Sequence, residues 1–379
     1  MSARGSVIKR GDRWSVVIDL GRGPDGKRRR EWHSGFPSEK AAEKERTRLL
    51  KSLDDGTHVA PVETTVTEFV TRTWLPGLAA SSLRPTTVDM YDRSAHRYVL
   101  PHLGPLRLRD VTPVALKTWL DGLKAAGVGD RTVQIAGVTA HKMLKGAADL
   151  ELIGRNPADN AAVREARPRT KARVPTVWTA EETRNFLNSQ RDDRLFPLWR
   201  LATMTGLRRG EIAGLRWRDL DLEAGVLHVR QTRVVVDYKV LDSSPKTEKA
   251  RRAVGLDPGT VAALRSHRAR QTEEMFGFGR QRNDDGFVFV REDGEPYHPQ
   301  RLTIMLAERA RAAGLPPVKL HALRHGHATA ALEAGVPMKV VSERLGHSGI
   351  AITSDVYSHV TTATDHAAAA LVAAAIDDP

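Results

Sequence analysis

The chain has 379 residues, 40% hydrophobic and 28% charged, with no cysteine; these proportions exclude a disordered chain, and the missing thiols exclude disulfides, cysteine zinc sites and a thiol nucleophile. The formal net charge of +13 is uneven, with 14 basic against 9 acidic residues in 1–60, 17 against 11 in 61–174 and 28 against 26 in 175–379, so the front half attracts a polyanion, nucleic acid foremost, or is simply a soluble basic surface. No apolar run reaches the roughly 18 residues of a membrane span, and Met1–Gly5 leads into charged sequence without the apolar stretch of an export signal; a cytoplasmic protein, nucleoid-associated in a bacterium, is expected.

The length predicts two or three domains. Residues 6–36 read as three short strands: Val7-Ile8 before the Gly11-Asp12 turn, then Trp14–Leu20, then a glycine-rich loop leading to Lys27–His33. Pro37-Ser38 opens a helix to about Lys51, with Ser38 as N-cap. One small sheet and one helix bury too little to make a large core, so residues 1–58 read as an appended binding module. A sheet can enter the major groove and present arginines to DNA. Lys27, Arg28, Arg29 and Arg30 fit that role, or form a solvated basic loop.

Residues 62–162 read as a compact domain of four or five helices. Val66, Phe69 and Val70 begin one apolar stripe, and Leu116, Trp119, Leu120 and Leu123 form another at i, i+3, i+4, i+7. Val133, Ile135, Val138, Met143 and Leu144 mark a later helix, with Asp130 as its expected N-cap. Arg84, Thr86 and Thr87 stand at a helix start, where amides and hydroxyls suit a phosphate or serve ordinary capping. Residues 163–174, with Arg169, Lys171 and Arg173, have the composition of an extended basic linker along a polyanion, or of a hinge. Residues 175–379 open on a capping box, Thr179 with Glu182. A helical domain follows, interrupted by a strand-rich insert from Val226 to Leu256 and ending in an alanine-rich tail.

The last third carries chemistry. Breaking a phosphodiester takes a nucleophile, neutralisation of charge on the non-bridging oxygens, and a proton for the leaving oxygen. Arg208 and Arg324 suit the second task, since a guanidinium donates in a planar fork and stays charged. Arg209, beside Arg208, competes for the first of these places. His321 and Arg324 share one helical face, and Glu211, three residues after Arg208, can hold that guanidinium. Lys246, among Lys249, Arg251 and Arg252, is a proton donor; His347 and Tyr357 complete the order. Tyr357 can attack a phosphate without a metal.

These residues resemble the tyrosine recombinase family, the phage-integrase branch of site-specific recombinases. The resemblance is carried by Thr205–Glu211, by His321-Ala322-Leu323-Arg324-His325, and by Leu345-Gly346-His347 followed by Tyr357. The catalytic match covers about Thr179–Val360. Leu152–Pro157 resembles the end of that family's helical core-binding domain, and residues 6–51 its three-stranded arm-binding domain. The resemblance implies a mainly α, multidomain fold: a small α+β arm-binding domain, a helical core-binding domain, and a mainly α catalytic domain with a small β-sheet.

It further implies that Tyr357 forms a 3′-phosphotyrosine, that Arg208 and Arg324 clamp the scissile phosphate, and that Lys246 protonates the leaving 5′-oxygen. His321 would assist proton transfer at the tyrosine, and His347 would be a second phosphate ligand. The implied partners are double-stranded DNA at core and arm sites, a homotetramer on that DNA, an excisionase and a DNA-bending host factor; no metal or other cofactor is implied. The alanine-rich tail fits docking on a neighbouring protomer or on its own domain. Three rival readings are a topoisomerase or resolvase of the same chemistry, a non-catalytic DNA-binding regulator, and an unrelated phosphatase or nuclease using His321 and Arg324.

Overall fold

A computed structural model describes residues 4–22, 28–54, 63–169, 176–244, 251–281, 283–347 and 349. Two compact units divide the chain, residues 1–172 and 173–379.

The first unit begins with an antiparallel sheet of β1 (Arg4–Arg10), β2 (Arg13–Arg22) and β3 (Arg28–Phe36), in that order. Helix α1 (Glu39–Asp54) follows. Ser38 accepts the Ala41 amide at 3.3 Å, as its N-cap position predicts, and the helix runs three residues past the expected Lys51. Side chains alternate across a strand, so Val16 and Ile18 face α1 and pack on Ala42 and Leu49. The opposite face carries Asp19, whose partner across the ladder is Arg30, and Val17, whose partner is Trp32.

The remainder of this unit is helical. α2 (Val66–Phe69) opens on a capping box between Thr65 and Glu68 and passes through a wide turn at Val70–Trp74 into α3 (Leu75–Ala79). α4 (Pro85–Ser94) passes through a second wide turn, Ala95–Val99, into α5 (Leu100–Leu103). The Leu75 amide reaches back to Val70 and the Leu100 amide to Ala95. Both lie directly before a proline, Pro76 and Pro101, whose ring displaces the carbonyl four residues earlier and widens the turn.

α6 (Pro113–Ala125), α7 (Asp130–Asp149) and α8 (Ala161–Ala166) complete the bundle. The expected stripe of Leu116, Trp119, Leu120 and Leu123 is buried with Val66, Phe69 and Val70. Three details differ from expectation. Residues 163–166, read as the start of an extended linker, belong to α8, because Val163 and Ala166 are buried in the bundle core. Gly129, not Asp130, caps α7, so the Asp130 carboxylate sits in the first turn, where it favours the helix dipole. Val138 is exposed, because the inward face of α7 is made of the small residues Ala136, Ala140 and Ala147 with Val133, Met143 and Leu144.

The second unit has α9 (Ala180–Ser189), α10 (Phe196–Thr205) and α11 (Arg209–Ala213) ahead of its strands. The Thr179–Glu182 capping box is present. β4 (Leu220–Asp221), β5 (Val226–Val229) and β8 (Arg252–Gly255) form one small sheet; β6 (Thr232–Val236) and β7 (Lys239–Ser243) form a separate hairpin. α12 (Pro258–Gly277), α13 (Pro299–Ala312), α14 (Leu320–Glu333) and α15 (Met338–Leu345) follow. The core gathers Phe186, Leu198, Trp199, Leu227, Leu264, Leu302 and Leu323. Among the described residues, no helix is long and apolar enough to cross a membrane.

Candidate active site and nucleic-acid interface

α10 ends at Gly206 in the left-handed conformation (φ 62°), and this turn delivers Arg208 to the N-cap of α11. A β-carbon at Gly206 would lie 2.6 Å from Leu345 Cδ2, so glycine is required twice, for the backbone and for the close approach of α15. The Arg208 amide donates to Glu211 Oε2 (2.9 Å), its Nη1 to Glu211 Oε1 (2.8 Å) and its Nη2 to the Gly346 carbonyl (2.7 Å). Arg209 points elsewhere, toward Thr303, so of the two neighbouring arginines Arg208 is the one that joins the cluster.

α14 supplies the opposite wall. His321, Arg324 and His325 share a face, with the His321 and His325 rings edge to face at 4.6 Å. Arg324 is 2% exposed; its Nη1 donates to the Gly206 carbonyl (2.9 Å) and its Nη2 to the Leu345 carbonyl (2.6 Å). Arg208, by contrast, keeps 39% of its side chain exposed, so an anion arriving from solvent meets Arg208 first, with Arg324 as the charged floor. Burial pushes the Arg324 guanidinium down to about 9, helped by Arg208, which leaves it charged at neutral pH.

The histidines are held neutral. Burial, then His325, Arg324 and Arg208, bring His321 down to about 4. Burial, then Arg324 and Arg208, bring His347 to about 4 as well. A neutral imidazole can accept a proton or a hydrogen bond, and the surrounding positive charge is itself a site for an anion. For Glu211, burial alone would raise the carboxyl; hydrogen bonding and charge from Arg252, then the Arg208 amide and guanidinium, outweigh it and hold the group below its usual range. Five of the sequence-selected residues, Arg208, Glu211, His321, Arg324 and His347, thus belong to one cluster. Lys246 and Tyr357 lie outside the described residues.

Arg252 is a member the sequence reading passed over. Its Nη1 and Nη2 donate to the two Glu211 oxygens (3.2 and 3.0 Å). Among Lys246, Lys249 and Arg251 it reads as one more solvated cation; its signal is the alternation with buried Val254 along β8. Beside it His228, Arg230 and Arg251 line an open basic cleft of about 560 Å³.

On the first unit, Arg28 and Arg30 lie on the face of the sheet turned away from α1. Both are mainly exposed, with Asp19 3.1 Å from Arg28 and 4.0 Å from Arg30. Arg10, missed in the sequence, stacks over the exposed Trp32 ring on the same face (4.3 Å). The result is a basic, aromatic-centred surface. Arg84 is the N-cap of α4, with Thr86 and Thr87 in its first turn, and Arg169 is exposed. Lys27, Lys171, Arg173 and the Arg29 side chain lie outside the described residues.

Comparison with known proteins places these features. Residues 177–364 match the phage integrase family, and residues 6–53 match the arm DNA-binding domain. A XerC-like tyrosine recombinase of Caldanaerobacter subterraneus is 29% identical over 376 residues, 95% of this chain and 96% of that protein. An integrase of Streptomyces ambofaciens is 27% identical, covering 91% of this chain and 89% of its own. Among solved structures, the Tn1549 transposon integrase in complex with a circular intermediate DNA superposes with a TM-score of 0.67, at 21% identity over 81% of this chain and 99% of that one.

Proposed function

The chain belongs to the phage-integrase family of tyrosine recombinases, and from that premise we propose how its own residues cut and rejoin DNA. It is a site-specific DNA recombinase, a breaking-and-rejoining enzyme that integrates or excises a mobile element. The observation that carries the mechanism is the convergence of Arg208 and Arg324 with neutral His321 and His347 on one end of α15.

In this reading the scissile phosphate sits against Arg208 over Arg324. The Tyr357 hydroxyl attacks phosphorus, the bond to the 5′-oxygen breaks, and a 3′-phosphotyrosine forms. His321 takes the phenolic proton, Lys246 gives one to the departing 5′-oxygen, and His347 hydrogen-bonds a non-bridging oxygen. Glu211 keeps the Arg208 fork aimed. The two guanidiniums stabilise the charge that accumulates in the transition state, which is where such groups contribute most. The phosphotyrosine conserves the bond energy, so a 5′-hydroxyl can reverse the step on a second strand.

The proposed division of labour gives residues 1–58 the arm sites, through Arg28, Arg30 and their neighbours, and 62–162 the core site, with Arg84, Thr86 and Thr87 at backbone phosphates. Arg169, Lys171 and Arg173 follow the DNA between core-binding and catalytic parts. Four protomers hold two DNA sites, and an excisionase and a DNA-bending factor set direction. A lambda integrase has been solved as a tetramer bound to a Holliday junction, which supports the assembly.

The test is a nicked suicide duplex carrying the core site. The full chain is expected to accumulate a covalent protein–DNA adduct, and Tyr357→Phe none. An adduct of undiminished yield from Tyr357→Phe would reject the nucleophile.

A further inference from the structure

The last two residues of α15 and its C-cap, Gly346, present consecutive carbonyls, and each accepts from a different arginine. Arg252 Nε donates to the Arg344 carbonyl (2.6 Å), Arg324 Nη2 to Leu345 (2.6 Å) and Arg208 Nη2 to Gly346 (2.7 Å). A helix C-terminus leaves its last carbonyls without intrahelical partners and carries partial negative charge. Three cations drawn from β8, α14 and the α10–α11 turn fill that role here. His347 is the next residue, and its amide closes on the Ser342 carbonyl (3.0 Å).

Arg252, like Arg208, joins Glu211 to the end of α15, and it does so from β8. Its side chain is 6% exposed and its carboxylate partner, Glu211, 5%, so solvent barely reaches the pair. One edge of the guanidinium grips Glu211, which in turn holds Arg208; its Nε holds the end of α15, which carries His347. In sequence Arg252 also follows Lys246 by six positions. We propose that Arg252 is a positioning residue for strand transfer: it ties the carboxylate that aims Arg208 to the helix end that seats His347, so that clamp and ligand are presented to the phosphate as one rigid unit. This rests on the strand-transfer reading above.

A buried arginine of purely structural use would affect stability and leave the rate of folded enzyme unchanged. A positioning role makes a different set of marks. Removing Arg252 takes away the strongest partner of Glu211, whose other charged neighbours are Arg208 and, more remotely, Arg324. The Glu211 carboxyl then titrates at higher pH. The acid limb of the rate, to which His321 and His347 also contribute, moves upward with it.

The experiment measures single-turnover adduct formation on the suicide duplex across pH 4.5 to 9, for the full chain and for Arg252→Met, with DNA affinity measured in parallel. Expected are a rate at least roughly 100-fold lower at neutral pH, an acid limb shifted up by about one unit or more, and DNA affinity within a few-fold of the unsubstituted chain. Equal rates and an unshifted limb in folded Arg252→Met would overturn the proposal. Should that variant not fold, Arg252→Lys decides. It keeps a positive charge beside Glu211 and cannot span to the Arg344 carbonyl, so a roughly ten-fold loss is expected and an unchanged rate overturns the proposal. No adduct from the unsubstituted chain would instead remove the strand-transfer reading itself, so the two failures are distinct.

Discussion

Arg208 and Arg324 have the same charge, and their surroundings give them different duties. Arg208 reaches solvent and is steered by the buried Glu211, while Arg324 is enclosed and spends two donors on backbone carbonyls. The histidines complete the design, since His321 and His347 at about 4 remain neutral throughout the physiological range. The sign of the pH dependence follows. Protonating His321 removes the acceptor proposed for the phenolic proton, and that occurs only as pH falls toward the lowered value. The second-order rate of adduct formation, which reports groups in the free enzyme, is therefore expected to be flat through neutrality and to fall only below about pH 5, toward the value of about 4. A midpoint at or above 6.5 would show that these imidazoles are not held neutral.

At the scale of elements, the site depends on how closely α10 and α15 approach. Gly206 allows it: its left-handed turn brings the Leu345 side chain, itself wholly buried, against the α-carbon. Alanine there meets both backbone strain and overpacking. Gly206→Ala is expected to destabilise the chain by about 2 kcal/mol or more, read from urea unfolding, and to slow adduct formation as well. A variant with unchanged unfolding midpoint and slope would contradict the packing argument. The sheet of the first unit illustrates a second element-level rule. Period-2 alternation sends Val16 and Ile18 to α1 and leaves Arg10, Arg28, Arg30 and Trp32 on the other face, so the apolar cluster and the basic, aromatic surface use opposite sides of the same strands.

Over the whole molecule, the excess of charge and the arginine–histidine cluster fall in different parts of the chain. Most of the charge excess lies in the first 174 residues, and the cluster of Arg208, Glu211, His321, Arg324 and His347 in the remainder. The small sheet module has its own apolar cluster. Deleting residues 1–58 is expected to leave cleavage of an isolated core site intact and to reduce integration between full attachment sites by ten-fold or more, a loss of about 1.4 kcal/mol or more in bridging. Integration assays with arm-containing and arm-less DNA check this. Equal integration by full and truncated chains would remove the arm-binding role.

Local rules made much of this protein readable in advance. The strand at Trp14–Leu20, the Thr179–Glu182 cap and the Leu116–Leu123 stripe each depend on residues close in the chain, and all are present in the structure. Val138 escaped because α7 packs on small residues that carry little hydrophobic signal. In the site, His321 and Arg324 announced themselves by spacing, and Arg208 with Glu211 likewise. The sequence by itself therefore determined the elements, the family and the chemical groups. Only the tertiary structure chose Arg208 over Arg209, drew Arg252 across 41 positions to Glu211, and stacked three arginines on three successive carbonyls. The reason is that hydrogen bonds between distant segments leave no periodicity in the chain; they exist only once the hydrophobic core has brought those segments together.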